Sequence, residues 1–155
     1  MGHPFTVRLA AESDSDVVLR LLAEYLEEMK EYPLSPEPGS AQASAIAEVI
    51  RRGLFRGDPI VLATSTEDFE PIGCSWWTWV PTSPQTDLSA LGTYVVRKWR
   101  KRGVARELRA LAEKEAKERG YSKIVGTLHI HNPVGIASLT MHGWKSAYFV
   151  VTKEI

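Results

Sequence analysis

The feature that most constrains this chain is an apolar segment that runs through a basic turn into an amphipathic helix. Residues 95–108 read VVRKWRKRGVAREL, with Val95 and Val96 before the turn and Gly103 at its end. The first N–H groups of a helix have no partner within the helix, and the helix dipole places positive charge there. A glycine lets an anion approach the main chain closely. The segment therefore predicts a phosphate-binding site at the start of a helix.

Four basic side chains add charge around the same turn: Arg100, Lys101, Arg102 and Arg106. A run of basic charge alone is typical of a solvated helix start, or of a surface that binds nucleic acid. We favour a phosphate ligand because the strand, the glycine turn and the helix occur together. The turn matches neither the Walker loop nor the Gly-x-Gly-x-x-Gly dinucleotide motif.

Two motifs resemble those of one enzyme superfamily. The residues Arg100-x-x-Gly103-x-Ala105 are similar to the Arg/Gln-x-x-Gly-x-Gly/Ala acetyl-CoA signature of the GNAT superfamily of N-acetyltransferases. Asn132, followed eleven residues later by Gly143-Trp144, resembles the Asn and Gly-Phe segment of the same superfamily. Both motifs stand in the order and at the separation that the superfamily shows.

The rest of the chain alternates predicted strands and helices. A first helix is predicted from Ser13 or Asp14, and a second from Ser40 to near Gly53. The other predicted elements are strands at 5–9, 60–64, 72–80, 90–96, 123–130 and 148–152, and helices at 104–119 and 134–141. This order resembles a GNAT domain over nearly the whole chain. The resemblance implies one α/β (α+β) domain over residues 1–155. Its sheet would be mixed and mostly antiparallel, with six to seven strands splayed between strands 4 and 5, and about four helices would flank it.

Composition and charge narrow the class of protein. The chain has 155 residues, 44% of them hydrophobic and 25% charged, which is typical of one soluble globular domain. We expect no membrane span and no signal peptide, and the single cysteine, Cys74, fits a reducing cytoplasm. Residues 1–96 carry 6 Lys/Arg against 14 Asp/Glu, whereas residues 97–155 carry 13 against 5. The basic part suits a phosphate ligand and the acidic part suits a cationic acceptor.

The resemblance implies acetyl-CoA as the co-substrate and implies no metal. The pantetheine arm would lie between the fourth and fifth strands, and the pyrophosphate would bind N–H groups of residues 102–106. A backbone N–H near Val95 would stabilise the thioester oxyanion, an effect of about 3 to 4 kcal/mol for one donor. The cofactor-binding residues so implied are Val95, Val96, Arg97, Arg100, Lys101, Arg102, Gly103, Val104, Ala105, Arg106 and Asn132.

Acetyl transfer to an amine needs a base for the ammonium and an acid for the departing thiolate. Many members of the superfamily use a Tyr as the acid, but Leu139 stands at that position, and Ser138 and Thr140 are the nearest hydroxyls. A thiol has a pKa of about 8.5, so the thiolate can leave with little help. The candidate catalytic residues are His131, Ser138 and Tyr94.

The base is predicted to act through ordered water, with His131 or Asp87 assisting. His129 and His131 alternate on the fifth predicted strand and so share a face. The alternative interpretation of His131 is a hydrogen-bonded structural histidine. A further alternative is a zinc site formed by His129, His131 and a third ligand such as His142, although the sequence shows no recognisable ligand set.

Acceptor-binding candidates come from an aromatic strand and an acidic helix. Alternation places Trp77 and Trp79 on one face of the third strand and Trp76 on the other. Trp77 and Trp79 either pack in the core or form a wall for the acceptor. Glu28, with Glu27 and Glu31, lies near the loop between the first two helices, which borders the acceptor site in GNAT folds. These acids are either a solvated helix face or a source of charge attraction.

The sequence therefore predicts an N-acetyltransferase that moves an acetyl group to a primary amine by direct attack in a ternary complex. The amine would be a small molecule, a peptide N-terminus or a lysine. Two alternatives remain: a catalytically silent acyl-CoA sensor, and a nucleic-acid-binding protein that uses residues 97–109. We expect no nucleic-acid or membrane partner. Eleven residues follow Trp144, so the last strands are short, fused or completed by a second subunit of a homodimer.

Overall fold

Strands and helices begin and end close to the positions that the sequence predicts. The computed structural model describes residues 3–31, 40–81, 83–126, 133–147 and 153. The elements are, in chain order, β1 (Phe5–Leu9), a 3-10 turn (Glu12–Asp14), α1 (Ser15–Met29), α2 (Ser40–Arg56), β2 (Ile60–Ser65), β3 (Pro71–Thr78), β4 (Asp87–Val95), a 3-10 turn (Arg97–Trp99), α3 (Val104–Glu118), β5 (Lys123–Gly126) and α4 (Pro133–Met141). The predicted alternation of strands and helices is therefore confirmed.

The sheet has the order β1-β2-β3-β4-β5, and every neighbouring pair is antiparallel except the parallel pair β4 and β5. A mostly antiparallel mixed sheet is thus confirmed. The predicted six to seven strands are not matched, since the described residues form five. The predicted last strand, 148–152, lies outside the described residues.

Two boundaries differ from the sequence prediction for reasons of tertiary contact. β4 begins at Asp87 rather than at residue 90 because its first residues pair with Lys123 to Gly126 of β5. β3 ends at Thr78 rather than at residue 80. There the N–H of Trp79 donates to the carboxylate of Asp58 at 3.2 Å instead of to a neighbouring strand.

Apolar side chains pack on both faces of the sheet, which places α3 on one face and α1 with α2 on the other. The α3 face buries a cluster that includes Trp77, Leu88, Val104 and Leu108. The opposite face buries a second cluster, whose larger members are Leu21, Leu22, Ile50, Leu54, Leu62 and Trp76. Each fully buried Leu or Ile contributes about 1.5 to 3 kcal/mol. The sheet is therefore covered on both sides.

The end of α4 is set by a glycine. Gly143 has φ +86°, and the N–H of Trp144 donates to the carbonyl of Leu139 at 3.1 Å, as in a Schellman motif. The Trp144 ring then packs edge-on against Trp77, with 6.1 Å between the ring centroids. Gly143-Trp144 therefore closes the fourth helix and anchors it to the core. None of the helices that the structure describes is long and apolar enough to cross a membrane.

Candidate active site

The turn between β4 and α3 has the geometry of an open helix start. Gly103 is the N-cap residue of α3 and has φ +84°, a left-handed conformation that favours glycine. Lys101 also has a positive φ, of 61°. Among the described residues, no side chain caps this helix start. The N–H groups of its first turn are therefore available to an anion from outside the helix.

The basic residues of the turn divide into two groups. Arg97 and Arg100 point toward α1, where the Arg100 guanidinium donates to Glu28 at 2.6 Å and Arg97 donates to both carboxylate oxygens of Glu31 at 2.8 and 2.9 Å. The exposed residues Lys101, Arg102 and Arg106 lie beside the helix start instead. The Arg102 guanidinium stacks over the ring of Trp99, 5.0 Å from its centroid. Of the four basic side chains predicted around the helix start, Lys101, Arg102 and Arg106 lie there, whereas Arg100 points toward α1.

At the end of β4, one residue turns its polar backbone groups away from the sheet. The N–H of Val96 donates to the carbonyl of Ile72 in β3 at 2.9 Å. Backbone groups alternate sides along a strand, so the N–H and C=O of Val95 both point away from β3. The C=O of Val95 accepts a hydrogen bond from Arg100 Nε at 2.8 Å. Of these two groups, the N–H is the one that the described part of the chain leaves open to a ligand.

The pairing of β4 with β5 changes halfway along the strand. Asp87 to Ala90 pair with β5, and Leu91 is then an extra residue in the register with β3, because Trp76 faces Gly92 and Trp77 faces Ala90. Such a bulge bends a strand and redirects its edge. The chain that follows Gly126 lies outside the described residues, so the splay between β4 and β5 stays a prediction.

An acidic groove lies between the second half of α1 and the end of β4. Its volume is about 650 Å³. It is lined by Ala23, Glu24, Glu27, Glu28, Lys30, Glu31, Tyr94 and Arg97. Three of its four carboxylates pair with Lys30, Arg97 and Arg100, so one net negative charge is left to attract a cation. The groove brings the acidic residues Glu27, Glu28 and Glu31 of α1 beside Tyr94 of β4.

Tyr94 is the β4 residue that reaches this groove. Its ring is half-buried, with the Arg100 guanidinium 5.7 Å from its centroid and Tyr25 at 6.3 Å. Burial raises the pKa of the Tyr94 phenol, and the nearby carboxylates of Glu24 and Glu28 raise it further. The phenol therefore stays protonated at neutral pH, where it can donate a hydrogen bond but does not act as a base.

The predicted acceptor-binding tryptophans are placed differently from each other. Trp77 is only 2% exposed and belongs to the α3 core, which favours the packing interpretation. Trp79 is half-buried just beyond β3, where its indole N–H donates to the carbonyl of Pro84 at 3.2 Å and Arg56 stacks over its ring. Neither ring lines the acidic groove.

The candidate acids and bases are also dispersed. Ser138 is half-buried on α4, and its carbonyl is 2.6 Å from the His142 ring nitrogen Nδ1. The Asp87 carboxylate lies 3.4 Å from the ammonium group of Lys123. Asp87 begins β4, and Val95 ends it. Val95 lies eight residue steps further along the strand, roughly 26 Å away, so Asp87 cannot assist at that end. The candidates His129, His131 and Asn132 lie outside the described residues. Within the described ranges, no three His, Cys, Asp or Glu residues gather as metal ligands.

The sequence prediction missed the contact between Glu28 and Arg100. A partial signal exists, since the first helix carries an acidic face and the turn after the fourth strand is basic. Nothing in the spacing shows that these two segments, 72 residues apart, meet in space.

Comparison with known proteins identifies the class of this fold and site. The chain matches the model of the acetyltransferase (GNAT) family over residues 20–144, and it therefore belongs to that family. Family membership confirms the prediction of an acetyltransferase with acetyl-CoA as its co-substrate. No curated protein matches the chain.

Solved structures share the fold at low sequence identity. A protein from Pyrococcus furiosus, provisionally named an acetyl transferase, aligns with a TM-score of 0.71 at 21% identity over 97% of this chain and 99% of its own. The PaiA N-acetyltransferase from Thermoplasma acidophilum, in complex with coenzyme A, has a TM-score of 0.69 at 17% identity over 92% and 91%. The aminoglycoside N-acetyltransferase AAC(6')-Iy, in complex with CoA, has a TM-score of 0.66 at 16% identity over 100% and 97%. At these identities the alignments establish the fold.

Proposed function

We propose that this protein transfers the acetyl group of acetyl-CoA to a primary amine by direct attack in a ternary complex. The observation that carries the proposal is the open helix start at Gly103 beside the outward N–H of Val95. These two features lie at the two ends of one turn, as the diphosphate and the thioester of a single cofactor require.

In this proposal the diphosphate accepts hydrogen bonds from the N–H groups of residues 102–106. Lys101, Arg102 and Arg106 add positive charge there because they are exposed beside the helix start. The pantetheine arm follows the edge of β4, and the Val95 N–H donates to the thioester oxygen. A preorganised donor stabilises the oxyanion of the transition state by about 3 to 4 kcal/mol. Asn132 is proposed to bind the pantetheine amide or the acceptor.

The acidic groove is proposed to bind the acceptor. An alkylammonium has a pKa of about 10, so an amine arrives charged and must lose a proton before it attacks. Carboxylates of the groove, which lies along α1, concentrate such cations near Tyr94. Tyr94 orients the acceptor through its neutral hydroxyl. We propose that His131 accepts the amine proton through ordered water. The Ser138 hydroxyl is proposed to donate a hydrogen bond to the departing thiolate, which then takes its proton from solvent.

The class of acceptor is a small polyamine, an aminoglycoside or a peptide N-terminus or lysine. The names of two structural neighbours, an aminoglycoside N-acetyltransferase and an N-acetyltransferase, guide only which amines are assayed. The net negative charge that remains around the groove, after the ion pairs of Glu27, Glu28 and Glu31, favours a cationic acceptor.

Release of CoA, measured with a thiol reagent, tests the proposal. The purified chain is incubated with acetyl-CoA and each member of a panel of polyamines, aminoglycosides and peptides. We expect release that depends on the amine and falls at least tenfold in Tyr94→Phe, with unchanged binding of CoA. Calorimetric binding of acetyl-CoA without release from any amine would favour the sensor, and binding of nucleic acid without binding of CoA would favour the nucleic-acid alternative.

The role of His131 has its own test. If His131 accepts the amine proton through water, His131→Ala lowers kcat/KM at neutral and higher pH, where the histidine is unprotonated, and removes the fall of kcat/KM on the acidic side of the pH profile. A profile and a kcat/KM identical to those of the unmodified chain would eliminate this histidine as the base.

A further inference from the structure

One arginine joins three parts of the candidate site. The Arg100 Nε donates to the Val95 carbonyl at 2.8 Å, and its Nη2 donates to Glu28 Oε2 at 2.6 Å. The same guanidinium lies 5.7 Å from the centroid of the Tyr94 ring. A planar guanidinium has donors in fixed directions, so contacts at two edges hold it in one orientation. Arg100 therefore connects α1, the acidic groove and the end of β4.

The carboxylate of this pair is shielded from water. The Glu28 side chain is 17% exposed and that of Arg100 is 38% exposed, whereas the Glu31 side chain, which pairs with Arg97, is 64% exposed. Charge-assisted hydrogen bonds are stronger where water is excluded. The bond between Glu28 and Arg100 is thus the firmer of the two links between α1 and the turn.

The link has a consequence for the edge of β4. Val95 presents both an N–H and a C=O to the side away from β3, and Arg100 occupies the C=O. A thioester or amide carbonyl of a ligand that approaches Val95 therefore meets the N–H as a hydrogen-bond donor, while the Val95 carbonyl is already bonded to Arg100. If Arg100 turned away, the open C=O would repel the thioester oxygen and would allow the pantetheine arm to pair in a shifted register.

We propose that Glu28 is a positioning residue, which acts through Arg100 to keep the Val95 carbonyl occupied and the Val95 N–H open to the thioester. The proposal rests on the proposed function, because it assigns Val95 to the thioester oxygen. It replaces the predicted role of Glu28 as a direct acceptor ligand, since its carboxylate is already engaged by Arg100. Glu28 thereby links the acidic groove to the thioester end of the site.

Calorimetric titration with two probes tests this assignment on the full chain. Acetyl-CoA contains the pantetheine arm and the diphosphate, whereas adenosine 3′-phosphate 5′-diphosphate lacks the arm. In Glu28→Gln we expect the affinity for acetyl-CoA to fall about tenfold, as for the loss of one hydrogen bond to a charged group, while the arm-free probe binds within about twofold of the unmodified chain. Arg100→Lys gives the same pattern. The double variant is no weaker than either single variant, because both act through one contact.

Glu115→Gln is the matched control. The Glu115 side chain lies near the far end of α3, is 17% exposed like that of Glu28 and pairs with Arg119, so its removal leaves both probes unaffected. Equal weakening of the two probes by Glu28→Gln, or no weakening of either, would overturn the positioning role. If the unmodified chain binds neither probe, the proposed function falls and the positioning role with it. Thermal melting of each variant separates these results from loss of folding.

Discussion

Replacement of Gly103 by alanine gives the sharpest test of the helix start. Gly103 has φ +84°, and a Cβ added there meets only open space, with Arg106 Nη2 the nearest atom at 3.9 Å. The folded state therefore gains no clash, and the cost to stability comes from the left-handed backbone, about 1 to 2 kcal/mol for a residue with a Cβ. For a chain of this length, 1 kcal/mol lowers Tm by about 2 to 4 °C.

The effect on ligand binding should exceed the effect on stability. The space beside Gly103 is where the proposed diphosphate approaches the N–H groups, so a methyl group there displaces it from the main chain. A loss of 1.4 kcal/mol corresponds to about tenfold in Kd, and disturbance of two or more amide contacts should exceed this. We expect CoA to bind Gly103→Ala more than tenfold weaker than the unmodified chain in calorimetric titration.

Gly120→Ala is the matched control for this substitution. Gly120 follows the other end of α3, has φ +82°, and a Cβ added to it meets nothing within 4 Å. Gly120→Ala should lose the same amount of stability, about 1 to 2 kcal/mol, because it too places a Cβ on a left-handed backbone. Its affinity for CoA should not change. Equal affinities for CoA in the two variants, whether both normal or both reduced, would refute the assignment of the diphosphate to this helix start.

Three further predictions concern stability and pH. Gly53→Ala places a Cβ in steric conflict with the Thr78 hydroxyl oxygen, so overpacking should lower the unfolding free energy in urea by about 1 to 3 kcal/mol. Asp58→Ala removes the buried acceptor of the Thr78 hydroxyl, at a cost of about 1 to 3 kcal/mol in the same assay. The hydrogen bond from Arg100 lowers the pKa of Glu28, so its stabilisation is present above the unfolded pKa of about 4.3 and is lost as the pH falls below it. Glu28→Gln should therefore melt with a weaker dependence on pH between about 5 and 3 than the unmodified chain, and an unchanged dependence would contradict this link.

Local patterns in the sequence predict most of the elements and the helix start. Gly103 and Gly143 are recognised from their positions at helix boundaries, and both have positive φ in the structure. The sequence could not predict features that depend on distant contacts. The start of β4 at Asp87 depends on pairing with β5, and the engagement of Arg100 depends on α1 packing beside the turn.

The aromatic strand illustrates a second limit. Alternation correctly separates Trp76 and Trp77 onto opposite faces of the sheet. It does not say which face is covered, and in the structure both rings are buried, Trp77 beneath Trp144. A cytoplasmic location and a homodimer stay predictions.

A crystal structure of the chain with acetyl-CoA is the decisive experiment for the cofactor site. We expect diphosphate oxygens at hydrogen-bond distance, about 3 Å, from N–H groups of residues 102–106, and the thioester oxygen on the N–H of Val95. A diphosphate bound elsewhere, or a thioester oxygen with no contact to β4, would show that the cofactor site is wrongly assigned.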